Sequence, residues 1–119
     1  MIIYKIFYKE YQVFDIELKL NESEYSGRYY SDLYIMPCIP GVAHYIFENV
    51  KTPEDLEIAS ARCEQIADMR VILWEDPEYD NSPLPEKEAE ERHYKIVKPR
   101  VEENLKNFCK TMGFSMFTD

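Results

Sequence analysis

The stretches IIYKIFY (residues 2–8) and YQVFDIELKL (residues 11–20), joined by Lys9 and Glu10, decide the fold class. Both alternate β-branched and aromatic residues with polar ones, and in the second Phe14, Ile16, Leu18 and Leu20 share one face while Asp15, Glu17 and Lys19 take the other. That period belongs to half-buried strands. A two-residue connection predicts an antiparallel hairpin with one wet face, although Lys9-Glu10 lacks the Asn-Gly or Gly-X chemistry of the favoured turns.

Working outward, residues 21–27 are polar and carry a turn, and residues 28–36 alternate again, with Tyr29, Leu33 and Ile35 set against Tyr30, Asp32 and Tyr34. Pro37, Pro40 and Gly41 then punctuate the chain. Residues 42–48 are predicted as a fourth strand, since a helix there would have only about two turns between breakers. Thr52, Pro53 and Asp55 supply an N-cap hydroxyl, a proline at the first helical position and a carboxylate that closes a capping box. The helix they start has an apolar stripe of Leu56, Ala59, Cys63, Ile66 and Ala67. Residues 69–74 are short and β-branched, which predicts a buried strand reached by a β-α-β connection.

Residues 75–85 hold Pro77, Pro83 and Pro85 among acids and are predicted as an exposed loop. From Pro85 to residue 112 the pattern is helical, with Glu88/Arg92 and Glu91/Lys95 spaced for i,i+4 pairing. Pro99 makes this either one kinked helix or two. Val101, Leu105, Phe108 and Met112 form its apolar face, Gly113 is a natural stop, and residues 114–117 can add a short strand. The expected architecture is α+β: a mixed, mostly antiparallel sheet with two to three helices packed on one face, in a single domain spanning residues 1–119.

The net charge of -9 is concentrated. Glu75, Asp76, Glu78, Asp80, Glu86, Glu88, Glu90 and Glu91 against Lys87 alone give residues 75–91 about -7 of it, by simple count of the sequence. Such a field repels nucleic-acid phosphates and anionic lipid and attracts basic protein surfaces. Neither a signal-peptide core nor a long apolar run is present, and Cys38, Cys63 and Cys109 are odd in number and widely spaced, as reduced cytoplasmic thiols are. Membrane partners are not expected.

Catalytic motifs are scarce. With glycine only at 27, 41 and 113 there is no phosphate-cradling loop, so no nucleotide cofactor is expected. His44 and His93 stand alone, and Glu90 and His93, although at Glu-x-x-His spacing, have no second copy to complete a di-metal site. No catalytic residue and no metal ligand is assigned. Cys63 and Cys109 fall on or beside apolar stripes, where thiols are inert core residues, and Cys38 is the thiol expected to be exposed.

A binding surface is better supported. Tyr25, Arg28, Tyr30 and Tyr34 crowd one loop and strand, and tyrosine and arginine are enriched at interface hot spots. With Glu75, Asp76, Glu78 and Asp80 they are the expected contacts for a basic protein partner, which the chain would bind and inhibit. Immunity proteins that block nuclease toxins, and inhibitors that mimic nucleic-acid charge, offer an analogy of size and charge only; no motif here belongs to either family. One alternative is a small enzyme or ligand-binding domain with a pocket between sheet and helices, using His44, His93 or Glu/Asp side chains as its polar groups. Another is a homodimeric structural subunit joined through its sheet edge and tyrosines.

Overall fold

The computed structural model describes residues 1–75 and 84–119. Strands β1 (Ile2–Tyr8), β2 (Tyr11–Glu22), β3 (Tyr29–Pro37) and β4 (Ser115–Thr118) form one sheet in the order β3-β2-β1-β4, and every pairing is antiparallel. The hairpin turn places Lys9 at φ 52, the left-handed conformation that an ordinary residue enters only at some cost. Between Ile6 and Phe7 the register slips, so Ile6 faces Phe14 while Phe7 faces Gln12. Val13 is the extra residue of this bulge, and it turns inward to full burial.

Four residues of β1, Ile2, Tyr4, Ile6 and Tyr8, alternate into the core with Ile16 and Leu18 of β2 and Leu33 of β3. Helix α1 (Ile39–Asn49), helix α2 (Pro53–Glu75) and a contiguous helical stretch of α3 (Glu86–Arg92), a π-helical turn (His93–Val97) and α4 (Lys98–Met112) complete the fold. Val101, Leu105, Phe108 and Met112 of α4 are buried in the same cluster as Ile66, Met69 and Leu73 of α2. No described helix is long and apolar enough to cross a membrane.

Two expected strands are helical. Residues 42–48 lie in α1 because Pro40 starts that helix, having no N–H to forfeit in the first turn. Gly41 is there for contact: a Cβ at this position would lie 1.8 Å from the Gln12 carbonyl oxygen, so only glycine lets α1 reach the bulge of β2. Residues 69–74 continue α2 and form no parallel strand. Val71 and Ile72 disfavour helix by only about 0.5 kcal/mol each, and staying helical sets Met69 and Leu73 in the core beside Ile66. It also lets the Arg70 Nε and Nη2 groups donate to Asp32 Oδ1 and Oδ2 at 3.0 and 3.2 Å. Asp32, on the side of β3 expected to be wet, is thereby only 4% exposed.

The capping box forms as expected: Asp55 N–H donates to Thr52 Oγ1 and Thr52 N–H to Asp55 Oδ2, both at 3.1 Å. At the other end of the chain, Pro99 does not split the helix in two, for α3, the π-helical turn and α4 are contiguous. Lys98 N–H reaches back to the His93 carbonyl, a wider turn that carries the rod past the proline's missing donor. The same turn keeps Ala89, His93, Val97, Val101 and Leu105, each four residues apart, on one buried face. Gly113 ends α4 in the left-handed conformation, and β4 follows.

Candidate functional site

The residues expected to contact a partner are set along β3 and the loop before it. Tyr25 is 100% exposed at the tip of the 23–28 turn, where Gly27 N–H and Ser23 N–H close on Ser23 and Arg28 carbonyls. Arg28 is exposed. Tyr34 is 36% exposed and its hydroxyl accepts from Asn21 Nδ2 at 2.6 Å, which ties the ring to β2. Tyr30 does not stand free: it is half-buried against the Trp74 ring of α2, centroids 5.3 Å apart. Beside them, a cleft of about 370 Å³ between β3 and α2 is lined by Glu17, Tyr34, Met36 and Arg70.

Glu75 ends α2, and Asp76, Glu78 and Asp80 lie outside the described residues. The flanks of that acidic stretch are well placed by their neighbours. Trp74 touches Tyr30, and Leu84 exchanges two backbone hydrogen bonds with Tyr29, so the chain leaves and rejoins the described fold at the start of β3. Glu22 and Glu86 push the Tyr29 phenol above its ordinary range, a local sign of the negative field there. Trp74 and Leu84 were not expected in this role. Their signal was a large apolar residue on each side of residues 75–83, Trp74 at the end of an apolar run and Leu84 between two prolines.

A second polar cluster fastens α1 to the hairpin. Tyr8 Oη donates to Glu48 Oε2 at 2.5 Å, Lys9 Nζ lies 2.9 Å from the same oxygen, and His44 Nε2 lies 3.1 Å from Glu48 Oε1. His44 also stacks on Tyr11 at 3.8 Å between centroids. The hydrogen bonds from Tyr8 and Lys9 hold the Glu48 carboxyl down at about 2. So weak a base takes up no proton near neutrality, and the cluster is chemically a clasp.

His93 is buried in the π-helical turn, its Nδ1 2.8 Å from Ser31 Oγ. Burial, and then the nearby amino terminus, lower its pKa to about 4. It stands toward the far end of the sheet from His44: Ser31 pairs with Leu20, whereas Tyr11 pairs with Tyr8 at the hairpin. The two histidines therefore do not converge on one pocket. Among the described residues no three His, Cys, Asp or Glu side chains are grouped to hold a metal ion. Cys109 is buried and its thiol is pushed up to about 11. Cys63 corrects the expectation, for it is exposed, while Cys38 is half-buried.

Cys63 is exposed because the stripe it belongs to is only half used. Of Leu56, Ala59, Cys63, Ile66 and Ala67, only Ile66 is buried. The first half of the stripe instead walls an open groove of about 130 Å³, with Val42, Tyr45 and Ile46 of α1 opposite and Phe14 and Phe114 between. Fold and elements define an α+β protein with a four-stranded antiparallel sheet and helices packed against it. Set against protein-family models, curated proteins and solved structures, the chain matches none of them.

Proposed function

We propose that this is a small cytoplasmic binding protein that engages, and by covering it inhibits, a basic partner protein. The observation that supports the reading is that the residues flanking the acidic run, Trp74 and Leu84, lie against the tyrosines at the start of β3. The acidic run departs beside Tyr30, at Trp74, and returns beside Tyr29, at Leu84. Carboxylates at 75, 76, 78 and 80 then steer a cationic surface toward Tyr25, Arg28, Tyr30 and Tyr34, whose rings supply desolvated contact.

The test pairs capture with charge removal. The chain is immobilised, exposed to lysate of its native host at low and moderate salt, and compared with the Glu75→Gln, Asp76→Asn, Glu78→Gln, Asp80→Asn variant and with Tyr34→Ala. A basic protein held in stoichiometric amount supports the reading if the charge variant slows its association roughly tenfold or more and flattens the salt dependence. Tyr34→Ala is expected to act on dissociation instead. Association equally fast in the charge variant, or no retained basic protein from a folded monomer, sinks it.

A further inference from the structure

We infer that β4 is a pairing edge whose partner is the β4 of a second copy of this chain, set antiparallel about a two-fold axis at Phe117, so that the two four-stranded sheets run on as one. The inference rests on the sheet alone and stands apart from the basic-partner reading. An edge strand offers unpaired N–H and C=O groups to any extended chain, and proteins commonly blunt such edges. The two edges of this sheet are treated differently. Along β3, Tyr29, Leu33 and Pro37 turn their backbone groups away from β2: Tyr29 exchanges both bonds with Leu84, the Leu33 N–H donates to Asp32 Oδ1 at 2.9 Å, and Pro37 has no donor. Arg70 and Trp74 of α2 close on Asp32 and Tyr30 of the same strand. Strand β4 has no charge, no proline and no bulge, and among the described residues nothing pairs with its outer side. Shortness is its one restraint.

Alternation fixes the register. The Asp119 N–H donates to the Ile3 carbonyl at 3.0 Å, so Ser115 and Phe117 also bond to β1, and the N–H and C=O groups of Met116 and Thr118 point outward. A copy turned about a two-fold axis satisfies all of them, Met116 of each chain opposite Thr118 of the other. Phe117 then faces its own counterpart as a non-hydrogen-bonded pair, the closer kind, with Cα atoms about 4.5 Å apart. Its ring is 59% exposed and already meets Phe7 edge to face at 5.5 Å, so pairing draws the two Phe7–Phe117 couples into one aromatic row. An uncharged, apolar edge selects an uncharged, apolar strand, and β4 is itself such a strand. Net charge of -9 opposes self-association in general. Most of it, however, belongs to residues 75–91, whose flanks sit at the start of β3 with β2 and β1 between them and β4. At β4 itself Lys5 and Asp119 cancel each other as an ion pair at 3.3 Å. Joined through β4, the two β3 edges lie at opposite ends of the common sheet.

A strand of four residues makes a small seam, below the roughly 1,200–2,000 Å² that stable complexes bury, so the dimer belongs to high concentration. Sedimentation of the full chain is expected to give the monomer mass at about 10 µM and to rise toward twice that mass by about 1 mM. Thr118→Pro removes one outward donor and leaves the Phe117 and Asp119 N–H groups to bond β1. Folded by circular dichroism, that variant is expected to need at least tenfold higher concentration to associate. Because it can also lose β4, the register is read a second way, by oxidation of a Cys38→Ser, Cys63→Ser chain in which the remaining Cys109 is buried. Phe117→Cys sets two thiols within disulfide reach across the axis. It should give a covalent dimer at least tenfold faster than Ser115→Cys, whose thiols stand about 13 Å apart along the strands. A monomer at about 1 mM, undiminished association of folded Thr118→Pro, or crosslinking as fast from position 115 overturns the proposal. So does growth past the dimer, which a closed two-fold pairing does not allow.

Discussion

Gly41 and His93 are single residues on which separate parts of the fold depend. The approach of α1 to the β2 bulge leaves no room for a Cβ at Gly41, and neither partner in that contact is the movable end of a side chain. Gly41→Ala is therefore expected to lower stability by about 2–3 kcal/mol or more, as overpacking does, and urea denaturation would show it as a lower midpoint. His93 acts through protons. Its pKa is 6.5 in the unfolded chain and about 4 in the fold, so between those values the unfolded state binds more protons and stability rises with pH. Its contribution is complete above 6.5 and is lost progressively toward 4, about 3 kcal/mol in all. Unfolding free energies measured from pH 7 to 4.5 should fall steeply in the unaltered chain and much less in His93→Gln. Equal slopes would show that other groups set the acid limb.

At the scale of elements, α2 is two helices in one. Its second half is tied by Ile66, Met69 and Leu73 in the core and by the Arg70–Asp32 pair, whereas its first half has the capping box and little else. Amides of residues 57–64 are expected to exchange with deuterium at least tenfold faster than those of 66–74, because local opening there exposes little new apolar surface. Uniform protection would mean that the groove walls hold each other more firmly than their exposure implies. The same helix marks where sequence reasoning stopped. The hairpin, β3, the capping box, α4 and its glycine stop were legible because each is a local pattern. Residues 42–48 misled because Pro40 and Gly41 look like breakers until the Gln12 carbonyl is known to press on Gly41, a contact between distant segments. Residues 69–74 misled because β-branched propensity is weak beside two core residues, Met69 and Leu73, and an ion pair. Tyr25, Arg28 and Tyr34 came out exposed as expected, but no periodicity could have told that Trp74 covers Tyr30.

The whole molecule is longer than its chain length requires. Its radius of gyration is 15.8 Å, against about 13.5 Å for a compact domain of this size, and its extents are 49 × 27 × 24 Å. The order of the sheet has a further consequence, in time. The strands β1 and β2 meet across a two-residue turn, but β4 joins β1 from nearly the other end of the sequence, so its pairing must close almost the longest loop the chain allows. Phe117 meets Phe7 edge to face at 5.5 Å across that last seam. Phe117→Ala, at about 1 kcal/mol, is expected to quicken unfolding several-fold in stopped-flow experiments while leaving the refolding rate within about twofold. A matching fall in the refolding rate would place β4 in the folding nucleus. Otherwise the strand that completes the sheet is the last to arrive and the first to let go.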